Sequence, residues 1–360
     1  MQVNHKELEN EIKKHFACDK RRVFFITCLI ISLITICSVS YSALSLVLNP
    51  LVKKASNFKR IQRFFKKFKV SHGAYIQFVW SILNQHYGSH KFILAIDRTN
   101  WQFGVLDINI LMIAVIYNGT AIPLVWRLLP KKGNSNQQER IDLLSELREL
   151  LSDEQWSQIC CITMDREFEG QKWLKFLQQK GLHFVLRVKK STLVKKASKS
   201  SKIWQLFECN YYRVLRKKRQ VFGLSLYVSG QRIISEKGKV DYVIFVSDLA
   251  GAKAATYYGE RWGIEVLFGD LKSRGFNFED THVTNLKSIK LMVLFLSLAY
   301  IWAIKTGEWL VEKGYKIPIK MVNGQLRKAY SIFRVGLDHL RIKLIHNMDI
   351  SDLILLLSCT

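Results

Sequence analysis

Acidic residues are scarce in this 360-residue chain, where 29 Asp and Glu stand against 55 Lys and Arg. The formal charge of +26 favours a polyanionic partner, with nucleic acid first and an anionic membrane surface second. The seven cysteines contain no C-x-x-C pair, and His15 near Cys18 lacks a second ligand pair to complete a metal site. We therefore expect reduced, mostly buried thiols, a cytoplasmic protein, and two or three domains.

Charged side chains are also missing from Val23 to Val52, directly after Arg21 and Arg22, as they are in a signal anchor or membrane helix. The second half of this run is too polar for a good span, and a buried pair of short helices explains it equally well. Its polar residues are Thr27, Ser32, Thr35, Ser38, Ser40, Ser42, Ser45 and Asn49. Another apolar stretch, Leu291 to Ile304, is about 14 residues long and predicts a core helix rather than a membrane span.

Residues 1–88 have a helical pattern and include a strongly basic segment. Four apolar residues recur there at gaps of three, four and three, so one helical face can pack while the cations on the other face meet phosphate. These apolar residues are Phe58, Ile61, Phe65 and Phe68, and the cations include Lys59, Arg60 and Arg63. A solvated basic helix is the alternative to a DNA-binding helix.

The middle of the chain alternates between short apolar runs and helical patterns. Strands are predicted at 91–97, 108–116, 121–128, 160–165 and 182–188, with helices at 135–151 and 170–180. Asn118-Gly119 indicates a two-residue hairpin, and Ser135 is the predicted cap of the first helix. Strand-like segments at 211–214, 223–228 and 242–246 precede a helix at 252–274. This is the order of an α/β domain with a ribonuclease H-like core and a β-rich insertion before its last catalytic helix.

Three carboxylates stand out in this order. Asp97 and Asp165 each end an apolar strand, where ligands of α/β sheets usually bind, although an aspartate there is more often a turn or cap residue. Glu265 shares a predicted helix face with Tyr258, Arg261 and Lys272, which are spaced so that all four lie within about 60° of one another. An ordinary surface ion pair between Arg261 and Glu265 is the alternative.

This set of residues suits phosphodiester chemistry. Mg²⁺ prefers oxygen ligands, and two or three carboxylates can hold two ions about 4 Å apart across a scissile phosphate. Arg261 and Lys272 would then hold neighbouring phosphates.

The same residues carry a resemblance to a known family. Tyr258, Arg261, Glu265 and Lys272 resemble, at every spacing, the Y-R-E-K signature of the insertion sequence 4 family of bacterial DDE transposases. Asp97-Arg-Thr-Asn-Trp101 is similar to the first-aspartate motif of that family, D-x-T-x-W, and Asp165-Arg-Glu-Phe168 to its second, D-R-E-F. The segment 59–65 is similar to the N-terminal region with which such proteins bind terminal repeats.

The resemblance implies a transposase that binds the terminal inverted repeats of its insertion sequence and catalyses metal-dependent cleavage and strand transfer of double-stranded DNA. Asp97, Asp165 and Glu265 would be the catalytic metal ligands, for two Mg²⁺ ions or Mn²⁺ in their place. Tyr258, Arg261, Lys272 and Arg166 would contact DNA. We also expect target DNA as a partner, a homodimer in a paired-end complex, no membrane contact, and a cytoplasmic, nucleoid-associated location in a bacterium.

The expected domains are a helical N-terminal DNA-binding domain at 1–88, a ribonuclease H-like catalytic domain at 89–188 and 249–290, a β-rich insertion at 189–248 and a helical C-terminal region at 291–360. Some relatives hold a flipped base with aromatic residues of the insertion during hairpin formation. Here the candidates for that role are Trp204, Phe222 and Tyr227. The alternatives are a nuclease of the same fold without strand transfer, a membrane-anchored basic protein and an inactive relic that still binds DNA.

Overall fold

The computed structural model describes residues 5–87, 91–196, 199–208, 211–234, 238–250, 253–322 and 324–358. They form two compact units. The helical unit is built from the described parts of 1–88, 101–106 and 268–360, and the sheet unit from those of 89–100 and 107–267. Of the cysteines in these residues, Cys28, Cys37 and Cys161 are buried and all are free thiols, as predicted, while Cys209 and Cys359 lie outside the described residues.

An eleven-stranded mixed sheet is the frame of the sheet unit. Its strands are β1 Phe92–Phe103, β2 Leu106–Tyr117, β3 Thr120–Leu128, β4 Ile159–Met164, β5 His183–Arg187, β6 Leu193–Lys196, β7 Lys199–Lys202, β8 Arg213–Val214, β9 Arg219–Val221, β10 Leu224–Ile234 and β11 Val240–Ser247. Their order is β3-β2-β1-β4-β5-β11-β10-β9-β6-β7, and β8 pairs with β10. The mixed α/β architecture agrees with a ribonuclease H-like domain.

The first part of this sheet follows the predicted order. Asn118 and Gly119 both have positive φ, 46° and 76°, as a two-residue hairpin between β2 and β3 requires. β4 runs parallel to both β1 and β5. β11 pairs antiparallel with β5, so the strands of the predicted insertion continue the same sheet.

In the described part of the chain, five α-helices accompany the sheet: α6 Gln137–Leu150, α7 Asp153–Ser157, α8 Gln171–Gln179, α9 Ala254–Glu260 and α10 Trp262–Leu271. The predicted cap of α6 is wrong by one residue. Asn136 caps it in a capping box with Glu139, because the Ser135 hydroxyl instead accepts a hydrogen bond from Arg140 Nε at 2.9 Å. The helix predicted at 252–274 is found as two helices, α9 and α10, which Arg261 alone separates and which end at Leu271; its predicted first residue lies outside the described residues.

The helical unit contains α1 His5–His15, α2 Lys20–Ile36, α3 Tyr41–Val47, α4 Lys54–Lys67, α5 His72–Tyr87, α11 Leu286–Glu312, β12 Ile319–Val322, β13 Gln325–Lys328, α12 Ile332–Ile345 and α13 Ser351–Leu355. The C-terminal region at 291–360 was expected to be helical, but it also contains a two-stranded hairpin. Gly314 (φ 95°) follows the end of α11, and Pro318 cannot donate a helical hydrogen bond, so the chain leaves the helix before β12.

The apolar run at 23–52 forms two helices rather than one. α2 and α3 are bent by 106° relative to each other, and α2 packs against α1, α11 and α12. Among the described helices, α11 alone is long and apolar enough to cross a membrane, and 89% of its most apolar window is buried in the protein. The core helix predicted at 291–304 is confirmed, although α11 is longer, at 27 residues.

The basic helix α4 is amphipathic, as predicted. Ile61 and Phe65 are buried, and the Phe65 ring lies edge-on to that of Phe295 in α11 at 5.9 Å. Lys59 and Arg63 are exposed, whereas the half-buried Arg60 guanidinium lies 5.9 Å from the ring centroid of Phe25.

Candidate active site

The two aspartates lie side by side on neighbouring strands. Ile96 of β1 is the register partner of Met164 of β4, and Asp97 and Asp165 are the next residues of the two parallel strands. Neighbouring strands are about 4.8 Å apart, so the two carboxylates lie close together at one position of the sheet. The structure corrects one detail, because β1 does not end at Asp97 but continues to Phe103.

Neither aspartate has the cap role that is commonest for such a residue. Asp165 precedes a short 3₁₀ helix, Arg166–Phe168, but its side chain makes no capping hydrogen bond. Instead, Asp165 Oδ1 accepts a hydrogen bond from the Tyr258 hydroxyl at 3.1 Å. Asp97 Oδ1 accepts one from the backbone N–H of Arg98 at 2.7 Å, which leaves Oδ2 for a partner across the sheet unit.

That partner is Arg261, which lies between two carboxylates. Arg261 Nη1 donates to Asp97 Oδ2 at 2.7 Å, and Nη2 donates to Glu265 Oε1. The Arg261 side chain is only 8% exposed. One guanidinium therefore links the first aspartate to the glutamate.

Arg261 separates α9 from α10 and keeps right-handed helical φ and ψ, −54° and −27°. Two backbone hydrogen bonds of the 3₁₀ type surround this residue: Arg261 N–H donates to Tyr258 C=O, and Ile264 N–H donates to Arg261 C=O, both at 3.0 Å. Gly259 and Gly263 flank it, and glycine weakens a helix interior by about 1 kcal/mol relative to alanine. The Arg261–Glu265 ion pair spans four residues, and the Arg261 guanidinium lies 5.6 Å from the Tyr258 ring centroid, so these three side chains adjoin one another. A common face with Lys272 stays a prediction.

Gly263 also sets how closely α10 approaches the sheet. A Cβ at this position would lie 2.4 Å from the carbonyl oxygen of Thr120, at the start of β3. Only glycine permits this backbone contact, which fixes the helix that carries Glu265 against the β2–β3 hairpin. This role of Gly263 was not predicted, although its place two residues before Glu265 was a signal.

Burial shapes the electrostatics of the site. Burial raises the pKa of Asp97, and the charge and hydrogen bonds of Arg261 together with the Arg98 N–H oppose that rise. Burial alone would lower the pKa of Arg261, but Asp97 and the other nearby groups raise it, so the guanidinium stays charged. Burial likewise raises the pKa of the Tyr258 hydroxyl, which keeps it a hydrogen-bond donor.

A second ion pair connects the segments that follow the aspartates. Arg98 Nε and Nη2 donate to the two carboxylate oxygens of Glu167, each at 3.0 Å. Arg98 also donates to Asn109 Oδ1 and Asn134 Oδ1, both at 3.0 Å. Bidentate pairs of this kind fix geometry strongly, so the clamp holds the chain after Asp97 against the chain after Asp165. Arg98 and Glu167 both lie in the two aspartate motifs, but their pairing was not predicted.

Lys272 follows the last residue of α10 and belongs to the helical unit. Its Nζ lies 2.7 Å from Glu279 Oε1 and 5.4 Å from the ring centroid of Trp101. The Trp101 ring in turn lies 4.9 Å from that of Phe278. Lys272 and Trp101, both members of the quoted motifs, are thus in contact with each other.

The remaining candidates lie in several places. Arg166 is half-buried beside Asp165, while Lys59, Arg60 and Arg63 lie on α4. Of the aromatic residues in 189–248, Trp204 lies 5.7 Å from the ring of Tyr242, and Lys218 Nζ lies 4.9 Å from the ring of Tyr227. Phe222 is half-buried and has a φ of 53°.

Comparison with known proteins assigns the family. Residues 89–302, more than half of the chain, match the family described as transposase DDE domain. The chain belongs to this family of DDE transposases. No curated protein matches the chain. The matched residues include Asp97, Asp165 and Glu265, as well as the clamp formed by Arg98 and Glu167.

Membership of this family implies a DNA-binding enzyme of transposition with nuclease chemistry, and DDE transposases generally use divalent metal ions. The oxygen donors of Asp97 and Asp165 suit such an ion. Among the residues that the structure describes, however, no three His, Cys, Asp or Glu side chains are grouped to share a metal. In this transposase the Arg261 guanidinium occupies the place between Asp97 and Glu265, where it supplies the positive charge.

Proposed function

We propose that this transposase binds the terminal inverted repeats of a bacterial insertion sequence of the insertion sequence 4 family, and that it cuts and rejoins DNA by cut-and-paste transposition. The observation that carries the proposal is the juxtaposition of Asp97 and Asp165 in register on parallel strands, with Glu265 linked to Asp97 through Arg261. Of the proposed signature, Tyr258 contacts Asp165, Arg261 contacts Asp97 and Glu265, and Glu265 is itself the third carboxylate.

Asp97, Asp165 and Glu265 are the proposed ligands of Mg²⁺, with two ions bound and Mn²⁺ able to replace them. The ions would activate the attacking water or 3′-hydroxyl and stabilise the leaving oxygen. The chain itself contributes the positions of the ligands. Tyr258 orients Asp165 through its hydroxyl, and the Arg98–Glu167 clamp holds the two aspartate-bearing segments together.

Arg261 has two proposed roles. Its guanidinium neutralises Asp97 and Glu265. It is also a proposed bidentate contact to a phosphate of the DNA, and a metal ion held by the carboxylates would then supply the positive charge beside them. Tyr258, Arg166 and Lys272 are proposed to contact DNA as well.

The proposed domain organisation retains the expected limits, with DNA-binding helices at 1–88, catalytic segments at 89–188 and 249–290, the insertion at 189–248 and a C-terminal region at 291–360. The exposed cations of α4, Lys59 and Arg63, support a DNA-binding role for the first of these. We further propose a homodimer that pairs two transposon ends, target DNA as the second substrate, and a cytoplasmic, nucleoid-associated location. The burial of α11 supports the absence of a membrane role.

Single alanine substitutions of Asp97, Asp165 and Glu265 test the proposal. Each should abolish strand cleavage of a duplex that carries the terminal repeat, while binding of that duplex stays within about threefold, because a metal ligand rather than a phosphate contact is removed. Asp142→Ala is the matched control, since Asp142 is a surface carboxylate paired with Arg127 at 3.2 Å. It should cleave like the wild type.

Product analysis separates a transposase from a simple nuclease. Wild-type protein incubated with a 3′-hydroxyl donor end and a target duplex should yield joined strands as well as cut ones. Cleavage without any joined product would support the nuclease alternative. Activity within about tenfold of wild type in any one of the three alanine variants would remove that residue from the catalytic set.

A further inference from the structure

The β12–β13 hairpin lies in a segment of the chain that is rich in cations. From Lys313 to Leu337 the chain has no acidic residue, whereas it contains six cations. These cations are Lys313, Lys316, Lys320, Arg327, Lys328 and Arg334. The strands pair antiparallel, with Ile319 opposite Lys328, Lys320 opposite Arg327, Met321 opposite Leu326 and Val322 opposite Gln325.

Both faces of this hairpin are open to solvent. Of its strand residues only Val322 is half-buried, and the others are exposed, including Ile319 at 66%, Met321 at 64% and Leu326 at 71%. A two-stranded hairpin without a packed face is marginally stable in water. Exposed apolar side chains grouped in this way mark an interaction surface, so a partner is expected to cover the hairpin.

The charges indicate which partner that is. Lys320 and Arg327 are directly opposite each other on one face, and like charges in that position destabilise a strand pair. Both are exposed, and the absence of acidic residues from Lys313 to Leu337 means that no nearby residue in sequence neutralises them. A bound polyanion would remove this repulsion, whereas a second copy of this strongly basic chain would add to it.

The shape agrees with double-stranded DNA. A two-stranded ribbon fits the major groove, which is about 12 Å wide. The face that carries Lys320 and Arg327 can meet the phosphates, while Met321 and Leu326 on the opposite face can contact bases or sugars. We infer that the β12–β13 hairpin is a DNA-binding arm of this transposase, in addition to α4 and the proposed catalytic residues. The choice of DNA among polyanions rests on the proposed function.

The test is the salt dependence of binding to a 30-base-pair duplex of arbitrary sequence, measured with the full chain by fluorescence anisotropy. The double substitution Lys320→Gln/Arg327→Gln should lower the slope of log affinity against log salt by about 1.8, and should weaken binding at least about fivefold at 0.1 M salt, because each neutralised phosphate contributes about 0.9. The double substitution Met321→Ser/Leu326→Ser should weaken binding without changing the slope.

Lys172→Gln/Lys175→Gln on α8 is the control, since it removes the same charge from exposed positions. If the hairpin variants bind with the slope and affinity of this control while the wild type binds DNA, the arm is refuted and the proposed function stands. If the wild type itself does not bind the duplex, both fail. If Met321→Ser/Leu326→Ser leaves DNA binding intact but abolishes a dimer seen by analytical ultracentrifugation, the hairpin is a contact between copies and the inference is wrong.

Discussion

Replacement of Arg261 by glutamine tests the candidate site most directly, because this side chain lies buried between two of the proposed metal ligands. Glutamine keeps an amide donor of moderate length but removes the charge. Asp97, whose side chain is 17% exposed, then loses the cation 2.7 Å from its Oδ2. The Glu265 side chain is 35% exposed, so water screens its charge and the loss of its ion pair with Arg261 costs less.

The expected magnitude follows from the burial of Asp97. Removal of one partner from a buried ion pair costs about 3–5 kcal/mol. Asp97 keeps the hydrogen bond from the Arg98 N–H at 2.7 Å, which places the expected loss near the lower end, at about 3 kcal/mol. For a chain of 360 residues that loss corresponds to a fall of roughly 4 °C in melting temperature, since the unfolding entropy is about 2.1 cal/mol/K per residue.

The assay is thermal unfolding in EDTA and again with millimolar Mg²⁺. In EDTA, Arg261→Gln should melt well below wild type, and Mg²⁺ should raise its melting temperature more than that of wild type, because the variant has lost the internal cation that competes with the metal. Arg127→Gln is a close control: Arg127 also bridges two carboxylates, Asp142 and Glu146, but its side chain is 34% exposed. That surface pair should contribute less than about 1 kcal/mol. Equal losses in the two variants, or equal responses to Mg²⁺, would refute the role given to Arg261.

Two further predictions concern α10, one at Gly263 near its start and one at Asp270 near its end. Gly263→Ala should destabilise the fold by about 1–3 kcal/mol and lower cleavage, because the new Cβ would lie 2.4 Å from the Thr120 carbonyl oxygen. Gly259→Ala is the control: its Cβ would have open space around it, so this variant should be neutral or stabilising. Equal stability of the two variants would contradict the prediction. Burial raises the pKa of Asp270 from 3.8 to about 6, against the effects of Arg274 and Tyr300. The folded state therefore binds a proton more readily than the unfolded state, so the free energy of unfolding should fall by up to about 3 kcal/mol between pH 4 and pH 6. Urea unfolding of Asp270→Asn should lack that part of the pH dependence, and an unchanged profile would show that Asp270 does not cause it.

Local patterns predicted much of this fold. The apolar runs before Asp97 and Asp165, the Asn118-Gly119 turn and the amphipathic spacing in α4 depend on interactions within a few residues, and each is found in the structure. The neighbouring positions of the two aspartates could be expected only once β1 and β4 were assigned to one parallel sheet. That assignment came from the order of elements and from the resemblance, since no single segment specifies its neighbour.

Contacts between distant segments could not be predicted in the same way. Arg98 and Glu167 are 69 residues apart, and a sequence contains nothing that distinguishes this pair from any other Arg and Glu. The hairpin at 319–328 was missed because its strands are four residues each, too short for a period of two to be visible beside the helical pattern around them.

The residues around Arg261 show which contacts short-range spacing can predict. Gaps of three and four place Tyr258, Arg261 and Glu265 near one another, and the Arg261–Glu265 pair follows from them. The contacts with the sheet do not follow: Tyr258 reaches Asp165, and Arg261 reaches Asp97, 164 residues away in the chain. A buried carboxylate without a partner is costly, so the guanidinium that pairs with both Asp97 and Glu265 stabilises this part of the fold. Arg261, which is proposed to contact DNA, thus also holds two carboxylates of the chain itself.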